Sequence, residues 1–565
     1  MEKAEVLKVL QHIGSFNEIA ECQNPVFKKR KLGFGFSFTD TIERFNIKIL
    51  VGFEINFPLV MPTFFIDNYG SLPLIPHVEK DGKVCYTHED YTFIDFEQPG
   101  QIISETYLLT KKTIEEGLKK KNLQDFADEF EAYWARLDNC EEIYSDINIS
   151  ADPIIIKIGK KENFRFAVSD ETQRMKNVSR YVNLDEIGIT YQNAIFIPFT
   201  INDVFLPPRY HDSLGIDYFQ SILKLLTAPA EKKLSRLFST TTKNEEYVIF
   251  SFPQKNNVHC LFGVKFSNFK STGHPLISND FAGKITPISF DRLDKEFLYK
   301  RGGNGEAVPE KKVLLIGGGS IGGFIGEELI RNGFFDLTVV DADFLKSVNC
   351  YRHLTGFAYV GKNKAKAIKE KTESFFPHSN VNAIDIPIEE ALRKKVIRIE
   401  DYHFIIVATG NVTVNCFLNK LLSKFNKPIL YTWNDPYGIG GHCLVTNLEK
   451  KGCYNCLYTN DEFYNMASFA HHKQDKTFLK TLSGCGSVYT PYGSIDSMQT
   501  AILTVKTVIE IETNRIKQNA IYSWKGNSEI FIREGYKTSS RYEMGNVDLE
   551  ERKNSFANEK CKVCN

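Results

Sequence analysis

The residues of this chain best suited to chemistry are cysteines and glycines, set at spacings that suggest a relay. A glycine-rich loop, Gly317-Gly318-Gly319-Ser320-Ile321-Gly322, precedes two Cys-x-x-Cys pairs, Cys453/Cys456 and Cys561/Cys564. Between the pairs lies a lone thiol, Cys485, flanked by Gly484 and Gly486. A further isolated thiol, Cys85, ends the stretch Asp81-Gly82-Lys83-Val84-Cys85. The four paired cysteines offer thiolates at the spacing that tetrahedral Zn²⁺ prefers, in a structural role at the C-terminal end of the chain. Two unrelated reduced pairs, or a redox pair, is the competing reading. Glycine on both sides of Cys485 argues against a packed core cysteine. A helix expected from about Ser494 to Glu510 would lower its pKa through the positive end of the helix dipole. Cys350 and Cys443 are rival thiols. A nucleotide loop, a metal staple and two nucleophiles together imply activation of an acyl group and its passage between thiols.

The loop needs elements to hold it. Val313-Leu314-Leu315-Ile316 reads as a buried strand and a helix begins at Ile321, so Gly317, Gly319 and Gly322 form G-x-G-x-x-G between strand and helix. Glycines there permit the tight turn and bring backbone N–H groups to a phosphate at the helix N-terminus. Leu337-Thr338-Val339-Val340 is the next strand, and Asp341 at its end is placed to bind ribose hydroxyls. Strand–turn–helix alternation from Lys311 onward implies a parallel sheet covered by helices. This signal defines a nucleotide fold and not yet a reaction.

At 565 residues the chain exceeds one hydrophobic core, and three domains are expected. These are an N-terminal α+β domain (1–148), an α/β middle domain (149–295) and a C-terminal Rossmann-like domain (296–565), an α/β multidomain class. The middle region reads as a spacer of apolar strands. The N-terminal domain alternates strands with an amphipathic helix on which Tyr107, Ile114 and Leu118 share a face, and a second helix is expected over Gln124–Leu137. The formal net charge is zero, so the charge balance favours no polyanion and no nucleic-acid partner is expected. No signal peptide or membrane-spanning apolar run is read. The 12 cysteines then argue for reduced thiols and metal ligands, and for a cytoplasmic location.

Residues downstream of the loop separate one nucleotide reaction from another. Asp341-Ala342-Asp343, then Asn349, Arg352 and Lys364 in Gly361-Lys362-Asn363-Lys364-Ala365, resemble the ThiF/MoeB and ubiquitin-activating adenylation domain. The resemblance implies ATP with Mg²⁺: Asp341 on the ribose, and Asn349, Arg352 and Lys364 on the phosphates. It also implies a homodimer, with Arg301 in Leu298-Tyr299-Lys300-Arg301 as the arginine given to the partner's site. Val348 and His353 stand where the family has serine and glutamine, and Gly410 stands where it has an aspartate that helps place Mg²⁺. Asp343 and Asp435 are the two carboxylates that would compensate.

Cys485 resembles the catalytic cysteine of activating enzymes. Phe57-Pro58 through Pro62, then His77 and Gly82-Lys83-Val84-Cys85, resemble a ubiquitin-conjugating core. There His77 is followed by Val78-Glu79 in place of the family's proline and asparagine; His77 and His88 are candidates to assist Cys85, with a satisfied structural histidine the favoured reading of each. A conjugating-like domain, spacer and adenylation domain in this order resemble the fused activating–conjugating enzymes of bacterial CBASS anti-phage systems. The family implies adenylation of a protein C-terminal carboxylate, a thioester at Cys485, transfer to Cys85 and delivery to a lysine. The activated protein would be a cGAS-like nucleotidyltransferase or a ubiquitin-like protein. Two other readings stand beside it: a sulfur-carrier adenylyltransferase, and a non-catalytic binding module.

Overall fold

The computed structural model describes the chain apart from residues 1–2, 15, 88–91, 170–176, 179–180, 183–186, 201–205, 211, 239–243, 256–257, 270–272, 279–280, 450, 459–466, 472–477, 482–487 and 565. The chain divides into two compact units, Met1–Asp294 and Lys295–Asn565.

The first unit opens with an antiparallel meander of four strands: β1 (Asn17–Glu21), β2 (Phe34–Ile42), β3 (Phe45–Phe53) and β4 (Thr63–Ile66). Its apolar face is covered by the helix Pro99–Leu118, which starts at a proline and buries Ile103, Tyr107, Thr110 and Ile114 on one stripe. Tyr107 closes that stripe against Phe38, with ring centroids 5.5 Å apart. The single helix expected over Gln124–Leu137 is instead two short ones, Asp125–Asp128 and Phe130–Ala135, broken at Glu129 with φ −106°. The break turns Phe130 and Trp134 into the core, where both are fully buried.

Seven further strands follow: β5 (Glu141–Asp146), β6 (Ile154–Lys161), β7 (Phe164–Val168), β8 (Thr190–Pro198), β9 (Glu245–Pro253), β10 (His259–Ser267) and β11 (Lys284–Arg292). They close into a barrel in the order β10-β11-β5-β7-β6-β8-β9, which leaves no unpaired edge to recruit another chain. The boundary expected at 148/149 falls just after β5, the first barrel strand. The Trp134 indole N–H donates to the carbonyls of Gly263 (3.1 Å) and Ile288 (3.0 Å), tying the short helices to the barrel.

The second unit is a doubly wound sheet. Its strands are β12 (Lys312–Ile316), β13 (Asp336–Val340), β14 (Asn380–Ile384), β15 (Phe404–Val407), β16 (Ile429–Asn434) and β17 (Gly440–Thr446), then a ribbon of β18 (Lys480–Thr481) and β19 (Val488–Tyr489), and finally β20 (Ala520–Lys525). The main sheet runs β14-β13-β12-β15-β16-β17-β20, parallel up to β16 and antiparallel beyond it. Strand order reverses between β12 and β15, so a crevice opens beyond their carboxyl ends, where such folds bind ligands. No helix among the described residues is long and apolar enough to cross a membrane.

Candidate active site

The crevice between β12 and β15 is a cleft of about 690 Å³. Gly319, Ser320, Asn349, Arg352, His353, Lys364 and Tyr492 line it together with Thr409, Gly410, Trp433 and Tyr454. Its floor is the glycine loop. Gly317 has φ +99°, and a Cβ there would lie 2.6 Å from the Ala408 carbonyl oxygen. A Cβ on Gly322 would lie 1.9 Å from the Gly317 carbonyl oxygen, so the helix can start only because that position has no side chain. Above Gly319 there is open space, and the helix Ser320–Arg331 that it caps receives no side-chain cap. Those N-terminal amides, with Arg352 and Lys364, make a cradle whose charge suits the phosphates of a nucleoside triphosphate.

The carboxylates around the loop divide their roles. Asp341 accepts the Gly318 N–H at 2.7 Å and the Asp343 N–H at 2.8 Å, which sets the loop against the end of β13. Asp343 is 74% exposed and pairs with Lys364 Nζ at 2.8 Å. Asp435 is already occupied. It is buried, with His442 Nε2 at 2.9 Å, the Ser468 hydroxyl at 2.5 Å and the Phe469 N–H at 2.7 Å. Asp343 is therefore the open carboxylate of the two considered for a metal. At Gly410, φ is +66° and nothing would touch an added Cβ.

Asn349 Oδ1 accepts the Lys346 N–H at 3.0 Å, shaping the turn that presents Arg352. The Arg352 guanidinium lies 4.9 Å over the Tyr492 ring, whose hydroxyl is 3.0 Å from Ser320 Oγ. The sequence marks His353 only as a departure from the family pattern, yet it is part of the site. Its Nε2–H donates to the Gly318 carbonyl at 2.7 Å and its Nδ1 accepts the Thr355 N–H at 3.1 Å. Burial holds its pKa below the usual histidine value, so the ring is a neutral strut under the loop. Its place in the family's glutamine position was the available signal. Arg301 is exposed at the end of the helix Lys295–Gly302 and does not line this cleft.

Cys485 and His88 lie outside the described residues. On either side of residues 482–487, β18 and β19 pair antiparallel, and Leu479, Tyr489 and Thr490 line the cleft. Among the rival thiols, Cys443 is fully buried in β17 and burial pushes its pKa up to about 12, so it is inert as a nucleophile. Cys350 is half-buried, with its Sγ 3.8 Å from the Lys346 carbonyl.

Cys453, Cys456, Cys561 and Cys564 converge, with all four sulfurs within 4.8 Å of one another. Separations of 3.9, 3.6 and 3.4 Å for Cys453–Cys456, Cys453–Cys561 and Cys456–Cys564 compare with about 3.8 Å for sulfurs 2.3 Å from a tetrahedral zinc. The Cys453 N–H donates to Cys456 Sγ at 3.4 Å, and Asn419 Nδ2 donates to Cys453 Sγ at 3.3 Å. The donor set and its spacing fit zinc. Tyr454, inside the first pair, reaches the cleft and accepts from Asn415 Nδ2 at 3.2 Å, so the cluster also buttresses a cleft wall.

In the first unit Cys85 is exposed on the loop after β4. Its N–H donates to the His77 carbonyl at 2.8 Å, and its thiol donates to Glu79 Oε1 at 3.7 Å. Partial desolvation of the sulfur and the Glu79 charge push the thiol up to about 11. His77 is not free to assist. Nδ1 lies 2.8 Å from Glu129 Oε1 and Nε2 3.1 Å from Asp125 Oδ2, and these bonds raise its pKa to about 9. At neutral pH both ring nitrogens are spent as donors, a structural role.

One unit thus carries an exposed cysteine on a loop beside a four-stranded meander, and the other is a nucleotide fold with a cradle and a thiol cluster. They define a fusion of a ubiquitin-conjugating-like half to an adenylation-type half. Residues 28–142 match prokaryotic E2 family B and residues 300–539 match the ThiF family. The chain is 22% identical over 478 residues to the ATP-dependent ubiquitin transferase-like protein Cap2 of Pseudomonas aeruginosa, covering 80% of this chain and 83% of that relative. It is 25% identical over 489 residues to the protein of the same description from Vibrio cholerae, covering 77% and 80%. Among solved structures, Escherichia coli MccB is similar at 17% identity and a TM-score of 0.34, covering 46% of this chain and 66% of that one, just under two thirds.

Proposed function

We propose that this protein adenylates the C-terminal carboxylate of a partner protein with ATP, carries the acyl group as a thioester on Cys485 and then on Cys85, and delivers it to a lysine. The observation that carries the reading is the convergence of Gly319, Arg352 and Lys364 on one cleft at the strand-order switch point. In-line attack of a carboxylate on the α-phosphate builds negative charge, which Arg352, Lys364 and the uncapped amides after Gly319 are placed to stabilise. A bound Mg²⁺ would add charge neutralisation at the phosphates, with Asp343 as its open carboxylate. Asn349 and His353 keep the arginine turn and the loop in place. A zinc held by the four paired cysteines fixes the C-terminal tail and the Tyr454 wall.

The pairing of β18 with β19 beside the cleft supports Cys485 as the first acceptor, and the exposed Cys85 in the E2-family region supports it as the second. The Cap2 relatives support a ubiquitin-like conjugation, and a cGAS-like nucleotidyltransferase is the activated protein in this reading. A homodimer in which Arg301 reaches the partner's cleft, and a cytoplasmic setting, belong to the same reading.

The test is a non-reducing gel with ATP, Mg²⁺ and the nucleotidyltransferase from a neighbouring gene, run with wild type, Cys485→Ala and Cys85→Ala. The relay predicts a thiol-sensitive adduct lost in Cys485→Ala and retained on Cys485 in Cys85→Ala. Absence of any adduct, with ATP–pyrophosphate exchange intact, refutes the relay and leaves activation alone standing.

A further inference from the structure

Where a conjugating core carries the asparagine two residues after its histidine, this chain carries Glu79, and the fold turns that carboxylate toward the acyl-carrying sulfur. Arg30 pins one carboxylate oxygen, with Nη2 2.7 Å from Glu79 Oε2, while its Nε is held by Asp81 at 2.9 Å. The other oxygen, Oε1, is left facing Cys85 Sγ at 3.7 Å, with Arg136 Nη2 3.6 Å away. The Glu79 side chain is only 15% exposed. It is thus a fixed, charged acceptor at the reacting atom. An ionised carboxylate has no proton to donate, so it cannot stabilise an oxyanion as an amide does. It can take a proton.

We propose that Glu79 is the proton shuttle of acyl transfer at Cys85, moving the proton of the attacking amine to the departing sulfur. The inference rests on the reading of Cys85 as an acyl carrier. The balance closes without another reactant. A lysine that has already lost its ammonium proton to solvent attacks the thioester carbon, and the new C–N bond forms. One N–H proton passes to Glu79, the C–S bond breaks with its electron pair on sulfur, and Glu79 returns the proton to give Cys85–SH and an amide. The resting contact from the Cys85 thiol to Glu79 is the end state of that cycle. In the reverse sense, when Cys85 accepts the acyl group, the same carboxylate takes the thiol proton and releases it to the departing thiolate. A sulfur whose thiol form is favoured by its surroundings needs such a partner. The other charges around this pair are Lys83, Glu129 and Arg136 beside the sulfur and Arg30 and Asp81 beside the carboxylate.

The test uses the full chain and a probe that bypasses the adenylation half: a glycine-terminated peptide as its mercaptoethanesulfonate thioester, loaded at pH 9, with the adduct assigned to Cys85 by peptide mapping. Discharge at pH 7.5 is then timed with free lysine, in water and in deuterium oxide, in wild type, Glu79→Gln and Glu79→Asn. The isosteric glutamine keeps the shape, and because the same carboxylate serves loading, each variant is loaded to equal occupancy before discharge is timed. The lysine discharge rate should fall by about 100-fold in both variants, at the lower end of general acid–base effects. The solvent deuterium isotope effect on lysine discharge should disappear with it. An unchanged lysine discharge rate in Glu79→Gln, an isotope effect that persists in it, or a rate in Glu79→Asn at or above wild type overturns the shuttle while leaving Cys85 as carrier. Failure of wild type to load at Cys85 overturns the carrier reading and the shuttle together.

Discussion

Two neighbouring glycines of the loop should fail in different ways when each becomes alanine. At Gly322 the added methyl would sit 1.9 Å from the Gly317 oxygen and 2.9 Å from its carbonyl carbon, so backbone has to move by about 1 Å or more to restore ordinary contact. The loop has little room to give. The Gly317 N–H is bonded to the Val340 carbonyl at 2.9 Å, and the Gly318 N–H is held by Asp341. An overpacked site of this kind costs about 1–3 kcal/mol, which lowers the melting temperature of a unit this size by roughly 3–10 °C. At Gly319 nothing lies within 4 Å of the new methyl, so stability should stay within about 0.5 kcal/mol. That methyl would, however, occupy the space over the helix N-terminus where a phosphate must approach. ATP-dependent pyrophosphate exchange should fall at least about tenfold, a loss of about 1.4 kcal/mol of binding. Thermal unfolding without nucleotide and exchange kinetics with it separate the two effects. If Gly319→Ala exchanges like wild type, the assignment of this loop as the phosphate cradle is wrong; if Gly322→Ala melts like wild type, the tight packing of the helix start on Gly317 is wrong.

The His77 clamp carries a pH signature. Its folded pKa of about 9 lies above the unfolded value of about 6.5, so its contribution is complete below pH 6.5 and is lost as pH rises through 9. Urea unfolding of wild type against His77→Gln should show a difference of about 1–2 kcal/mol at pH 6, allowing for solvent screening of the half-exposed carboxylates, that shrinks by pH 9.5. A difference that does not change with pH would refute the imidazolium. Replacing Cys561 with serine should release bound zinc, lower the melting temperature by roughly 5–10 °C and slow pyrophosphate exchange through the Tyr454 wall, with metal content read by atomic emission. A fully metal-loaded variant would refute the four-cysteine site. Gly410→Asp should reduce the Mg²⁺ concentration needed for half-maximal exchange, at a cost of about 1 kcal/mol for aspartate in the left-handed region, and an unchanged Mg²⁺ dependence would refute that placement.

The long-range features of the fold were the least legible. The barrel depends on pairings such as β5 with β11, joining Ile288 to Glu141, and β8 with β9, which no local pattern announces. The break at Glu129 ran against a continuous helical pattern because Phe130 and Trp134 gain more by burial in the core than the backbone loses by ending one helix. His353 was visible as a residue but not as a strut, since its partner Gly318 lies 35 positions away.

What the sequence determined by itself is whatever short-range spacing controls. The glycine loop between strand and helix, the i,i+3 cysteines, and Cys85 after Gly82-Lys83-Val84 are set by chain geometry over a few residues. The tertiary structure alone decided which charges meet. It gave Asp435 to His442 and left Asp343 open, locked His77 between Asp125 and Glu129, and aimed Glu79 at Cys85 with Arg30 and Arg136 behind it. Those partners stand 48 to 57 positions apart in the chain where they clamp His77 and Glu79, so only closure of the fold brings them together, and at His77 the hydrogen bonds and charge of Glu129 and Asp125 then outweigh desolvation and hold the ring protonated.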